Sequence, residues 1–245
     1  MKENKLTGQD AQPVRIHRWN DGEWGGADDV IAEEVFIRVL INGTVYGSLV
    51  CSPWELEELV AGYLCSDGVI SSRRDLLELR VEGSDVLATL AAPVGQRRGR
   101  RELPERVTSL PRPLVAEDVL RLASSLENGS HLFHRTGGVH NAALSDGKEI
   151  LTNCEDVGRH NAFDRLIGRC LLQDIPMAGR VIVFSGRVPD EIIRKVVCTG
   201  CGAILSVSAP TSLAVRTARS AGVLLVGFAR GRRFNVYSHP EFIKP

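Results

Sequence analysis

This chain of 245 residues has no charge surplus, few aromatic residues and no long apolar run, and each shortage excludes something. Its 30 basic and 30 acidic residues cancel, so the basic excess of a general nucleic-acid binder is missing. No apolar stretch approaches the ~20 residues that cross a bilayer as a helix. The opening MKENKLTGQDAQPVR lacks the apolar segment of a secretory signal. These absences predict a cytoplasmic protein with neither nucleic acid nor membrane as a partner. Its six cysteines are then expected as thiols rather than as a disulfide framework. No internal repeat or long low-complexity tract is present.

What remains is ordinary globular material, 43% hydrophobic and 24% charged, in a chain long enough to bury a substantial core. Residues 1–30 are polar, with Trp19 and Trp24 as the large apolar groups, and predict a loose arm or an edge element. EEVFIRVLINGTVYGSLVC alternates around Asn42-Gly43, a β-hairpin signal. Ser52, Pro53 and Glu55 spell a capping box with proline at the first helical position, so a helix is expected from there. Residues 76–81 and 85–91 suit a strand pair, and 31–92 together read as a small α+β part.

From Pro93 to Pro113 little can pack, and six arginines appear: Arg97, Arg98, Arg100, Arg101, Arg106 and Arg112. This stretch predicts a mobile loop or linker, either solvated or in contact with an anion or partner. Beyond it, 114–245 reads as one core. Helices are expected over 116–127, 157–173, 189–198 and 211–221. Strands are expected over 139–144, 149–153, 180–184, 203–207 and 223–228. Apolar strands joined by helical crossovers predict a parallel sheet covered on both faces.

Several segments could carry chemistry. Cys198-Thr199-Gly200-Cys201 could be half a zinc site, a redox pair or a sulfur carrier. A structural zinc site wants four ligands, and there is no second such pair. Cys154, His140 and His160 could complete a site only if the fold gathers them. A zinc deaminase would show His-x-Glu and Pro-Cys-x-x-Cys, and both are absent, so no metal is expected. Cys198 closes a predicted helix whose C-terminal dipole disfavours a thiolate, with Arg194 and Lys195 to offset it. The plain alternative is two small buried thiols.

Asp156 is a plausible N-cap, and Arg159, His160 and Asn161 then supply donors at a helix N-terminus, where α/β folds bind anions. The alternative is that they only hold neighbouring loops. Gly137-Gly138-Val139-His140-Asn141 adds a flexible turn. The hydroxyls of Ser208-Ala209-Pro210-Thr211-Ser212 suit capping or phosphate. Gly227 to Asn235 puts Arg230, Arg232 and Arg233 at a strand end, with Phe228 and Phe234 to stack on a base. That combination suits a nucleotide.

TGGVHNAAL (136–144), EDVGRHNAFDRLIG (155–168), SAPTSLAV (208–215) and GFARGRRFNVYSHPE (227–241) resemble, in order, the signatures of the formate dehydrogenase accessory sulfurtransferase family (FdhD/NarQ). NGTVYGSLVCSPWELEELVAGYLCSDGVI (42–70) resembles that family's opening hairpin and helix. The resemblance implies a three-layer, cytidine-deaminase-like α/β core with a partly parallel sheet, usually dimeric. It implies a sulfur carrier that takes a persulfide from a cysteine desulfurase. The sulfur goes to the molybdenum bis-guanine-dinucleotide cofactor before that cofactor enters formate dehydrogenase. Phe228, Ala229, Arg230, Gly231, Arg232 and Arg233 resemble the cofactor-binding stretch. The family's persulfide cysteine belongs to a Cys-x-x-Cys loop that falls here within residues 93–113, which hold no cysteine. Cys198 and Cys201 are then the candidates for sulfur. A protein that binds the cofactor without carrying sulfur is the alternative.

Overall fold

The computed structural model describes residues 10–92 and 110–244. Most of the arginine-rich stretch, up to Ser109, lies outside the described residues. The first paired elements are β1 (Ala11–Asn20) and β2 (Glu23–Ala32), an antiparallel hairpin with Trp19 opposite Trp24. The loose arm expected over residues 1–30 is therefore regular from Ala11 onward. The reason is Asp21-Gly22, both at positive φ (48° and 96°), which form the tight turn that matches strand twist. Ala11, Val30 and Ala32 seat the hairpin on Leu132 and Val139.

The second hairpin joins β3 (Val35–Ile41) to β4 (Thr44–Cys51) through Asn42-Gly43, also both at positive φ. With β5 (Leu76–Glu82) and β6 (Asp85–Leu90) it forms a four-stranded sheet, ordered β4-β3-β6-β5. Helix α1 (Leu56–Ser66) buries Leu56, Leu59, Val60 and Leu64 against it. The capping box expected at Ser52 is not formed. α1 starts four residues later, after Glu55 in a left-handed conformation (φ 48°) and without a side-chain cap. Ser52 is engaged elsewhere: its N–H donates to Asp156 (3.2 Å) and its hydroxyl accepts from the Val157 N–H (3.1 Å).

The rest of the chain builds the larger core. β7 (Leu114–Val115), α2 (Ala116–Asn128) and α3 (His131–Thr136) precede β8 (His140–Ser145) and β9 (Ile150–Asp156). Then come α4 (Arg159–Leu172), β10 (Val181–Phe184), α5 (Asp190–Thr199), β11 (Ala203–Ser206), α6 (Ser212–Ala221) and β12 (Leu224–Arg230). β13 (Arg233–Ser238) and β14 (Ile243–Lys244) end it, β14 pairing with β7. The main sheet has the order β13-β12-β11-β10-β8-β9. β10, β11 and β12 are parallel, as their apolar runs and helical crossovers require, while β8, β9 and β13 run antiparallel to their neighbours.

Alternation within β10 sorts the layers. Ile182 and Phe184 face α4, α5 and α6, whereas Val181 and Val183 face α2. This is an α/β architecture of three layers. Asp156 does not cap α4. It ends β9, and Gly158 is the N-cap. Its carboxylate is needed for buried work. One oxygen accepts from the Gly158 N–H (2.8 Å) and Asn161 Nδ2 (3.0 Å), and the other meets Arg165 Nε at 2.7 Å. Arg165 and Asp156 are both fully buried. Arg165 also donates to the carbonyls of Ser52 (2.7 Å) and Trp54, tying the N-terminal lobe to α4.

Candidate functional site

The parallel strands end at one edge of the sheet, and β8, being antiparallel, begins there. In α/β sheets that edge is where loops leave the strands and ligands settle. A cavity of about 370 Å³ opens at this edge. Its walls include Gly137, Gly138, His140, Asn141, Ser185 and Arg230, with Phe133 of α3 as an apolar side. The volume falls within the roughly 300–1,000 Å³ of small-ligand sites.

Each wall has a local cause. Gly137 adopts φ 64° as the C-cap of α3, so the chain turns sharply into β8. Ser185 follows the last residue of β10, and its hydroxyl accepts from the Asn141 N–H (2.8 Å) and stands 3.4 Å from His140 Nδ1. The proton of that hydroxyl is left for His140 or for an acceptor in the cavity. Burial, and then the nearby Arg159 charge, hold His140 below the usual histidine range. His140 is therefore neutral at neutral pH. Asn141 Nδ2 lies 3.4 Å from the Glu155 carboxylate, which also accepts from the Ser130 hydroxyl.

Arg230 reaches the cavity because of an irregularity. Between Gly227 and Arg230 the β12–β13 register slips, and Phe228 takes φ 54°. Such a bulge re-aims the side chains that follow it. The Arg230 guanidinium stands 6.0 Å from the centre of the Phe228 ring, a cation–π arrangement that supports it. Arg232 occupies the exposed turn with Gly231, and Arg233 lies opposite Arg230 in the ladder. Ala229 is fully buried in the core beneath α2, so its side chain packs rather than binds. Gly227 serves close packing: a Cβ there would meet the Ser208 carbonyl oxygen at 3.0 Å and Pro210 at 3.1 Å. Gly231 takes φ 60° for the turn.

The three neighbours at the start of α4 are split by the fold. Arg159 lies under Gly186, where a Cβ would come within 3.1 Å of Arg159 Cβ, and its buried Nε has no hydrogen-bond partner. His160 turns to Glu191 of α5 (3.3 Å) and is also held below the usual range, mainly by burial. Asn161 is structural, donating to the Val50 carbonyl (2.7 Å) and to Asp156. Thr211 caps α6 by accepting from the Ala214 N–H (3.3 Å). Ser206, one strand over, holds the Gly186 carbonyl (2.8 Å).

The cysteine pair lies at the opposite edge. Cys198 sits in the last turn of α5 and is half-buried. Cys201 is fully buried, donates to the Met177 carbonyl (3.1 Å), and has its thiol pushed up to about 12 by burial. Neither cysteine is gathered with Cys154, His140 or His160. Among the described residues, Glu55, Glu58 and Cys154 bring ligand-type atoms within 4.8 Å of one another. There the Arg169 guanidinium already pairs with Glu55 (2.5 Å) and Glu58 (2.9 Å), so a cation is supplied by the chain.

Ser185, Ser130 and Phe133 are the site residues that sequence reasoning misses. Ser185 had a signal, as the first polar residue after an apolar strand. Ser130 and Phe133 come from a short helix with no motif.

The sequence and the fold have counterparts among known proteins. The sequence profile described as the FdhD/NarQ family matches residues 32–110 and 93–244. The sulfur carrier protein FdhD of Bacillus licheniformis is 36% identical, over 94% of this chain and 96% of its own. That of Staphylococcus haemolyticus is also 36% identical, over 100% of this chain and 99% of its own. The fold is similar to a crystal structure of a candidate formate dehydrogenase accessory protein from Desulfotalea psychrophila. The TM-score is 0.86 at 26% identity, covering 96% of this chain and 100% of that one.

Proposed function

The chain belongs to the FdhD/NarQ family, and on that premise we propose that it serves the maturation of formate dehydrogenase. It holds the molybdenum bis-guanine-dinucleotide cofactor as cargo and carries sulfur toward it from a cysteine desulfurase, as a cytoplasmic homodimer. The observation that carries this reading is the cavity at the strand ends, with Arg230 at its mouth and Gly137-Gly138 in its wall.

The cavity has room for about one nucleotide unit, and its donors suit a phosphate-bearing ligand. Arg230 offers a guanidinium whose planar fork pairs with phosphate oxygens. Ser185 offers a hydroxyl at the cavity wall. Phe133 supplies an apolar wall for a base. This cavity, present once in each chain of a dimer, matches the two guanine-nucleotide ends of the cargo. Calorimetric titration with GDP, with ADP as comparison, tests this reading. Saturable binding that favours GDP is expected, and no binding of GDP would sink it.

A second reading has its own support. No cysteine is among the residues lining this cavity. A protein that holds the cofactor and delivers it without carrying sulfur would have the same cavity. Mass spectrometry after incubation with a desulfurase and cysteine separates the two, since a carrier gains a persulfide and a holder does not.

A further inference from the structure

Where α4 and α5 stop and β10 begins, a second cavity opens, of about 420 Å³. Three of the six cysteines line it, from segments far apart in sequence: Cys65 is in the last turn of α1, Cys170 is on α4 and Cys198 is on α5. Met177 adds a fourth sulfur, and Lys195 and Arg73 bring positive charge. None of the three is in a disulfide. Cys170 is buried and its thiol is pushed up to about 11, so it remains protonated. Cys198 is half-buried and lies one turn from Lys195 on the same helix face. The Lys195 ammonium stands 2.6 Å from Asp164, which fixes it at the cavity wall.

We propose, resting on the sulfur-carrier reading above, that this cleft is the chain's sulfur-receiving site, with Cys198 accepting the outer sulfur of a persulfide borne by a donor cysteine. The Cys198 thiolate attacks the terminal sulfur. A new S–S bond forms at Cys198 as the donor's S–S bond breaks, and the donor cysteine leaves as a thiolate that takes the proton Cys198 gave up. No separate oxidant or reductant is needed, because the sulfane sulfur moves with its oxidation state unchanged. The soft, polarisable lining of Cys65, Cys170 and Met177 suits a weakly hydrated sulfur. The Arg73 and Lys195 charges favour the anionic partners of the exchange. Cys201, although it completes the sequence motif, stays behind the wall as a packed thiol. α5 places Cys198 eight residues, or about 12 Å, from the helix start at the nucleotide edge. Sulfur entry and nucleotide binding therefore use opposite edges of one sheet.

The test uses the full chain, incubated with inorganic polysulfide and separately with a cysteine desulfurase plus cysteine. The thiols are then alkylated, and the modified residue is located by peptide fragmentation. A mass gain of one sulfur atom is expected on Cys198, falling to background in Cys198→Ser and persisting in Cys201→Ala. Denaturation midpoints of the same samples show that each variant is folded, and GDP binding is measured in parallel. Label on another cysteine, or an undiminished label in Cys198→Ser, overturns the site. So does a GDP-binding chain that takes no sulfur from either donor. Label on Cys198 in a chain that binds no GDP supports the cleft and removes the nucleotide reading alone.

Discussion

Gly62 of α1 and Gly168 of α4 meet backbone to backbone. A Cβ on Gly62 would overlap the Asp164 carbonyl oxygen and come within 2.8 Å of the Gly168 nitrogen. One on Gly168 would overlap the Glu58 carbonyl oxygen and come within 2.7 Å of the Gly62 nitrogen. The two helices can approach this closely only because neither residue has a side chain.

Gly62→Ala and Gly168→Ala are each expected to destabilise the protein strongly. Overpacking costs roughly 1–3 kcal/mol in cores whose side chains can give way. Here the obstacle is main chain, which places the loss at about 3 kcal/mol. Urea denaturation measures it, and an unchanged midpoint in both variants would refute the crossing.

Arg230→Ala is expected to weaken GDP binding about tenfold or more, since a charge-assisted contact is worth roughly 1.5–3 kcal/mol and about 1.4 is tenfold. Arg232→Ala, at the exposed turn outside the cavity, is expected to bind as the parent does. Calorimetry on the pair decides, and equal losses in both would show that the cavity is not the grip.

Asp156→Asn leaves Arg165 buried without its counter-charge, which costs about 3–5 kcal/mol. Loss of this size, read as a shift in denaturant midpoint, is expected. A shift no larger than that of an exposed-pair variant such as Asp28→Asn would contradict the buried network.

His140 and His160 are bases held below their ordinary pKa of about 6.5. As pH falls, the unfolded chain takes up their protons before the folded chain does, which favours unfolding. Their contribution is intact above about pH 6.5 and is lost as pH drops through that value toward their folded pKa values. Denaturation midpoints from about pH 7 to about pH 5 should fall less steeply in His140→Gln/His160→Gln than in the parent. Parallel curves would overturn this.

The main elements were legible because each carries its own local signal. The largely apolar runs at 180–184, 203–207 and 223–228 announced a parallel sheet, and Asn42-Gly43 announced a hairpin. Asp21-Gly22 carried the same turn chemistry, but its polar surroundings obscured it. The capping box at Ser52 misled because a tertiary partner, Asp156, claimed the groups that would have capped the helix. Arg230 was legible in the Gly-Arg loop. The separation of Arg159, His160 and Asn161 was not, because three consecutive helical residues point about 100° apart and only packing decides that they meet Gly186, Glu191 and Asp156 respectively. The convergence of Cys65, Cys170 and Cys198 is likewise a product of helix packing, with no trace in their spacing.

Among the described residues, three strong ties between the two cores land on α4: the glycine crossing, Arg165 with its Asp156 pair and the Ser52 carbonyl, and Arg169 with Glu55 and Glu58. The helix thus serves as a shared wall, and neither lobe can melt while the other keeps a complete surface. Heating should therefore show one calorimetric transition, with van't Hoff and calorimetric enthalpies in agreement. A chain cut between the lobes would lose both halves together.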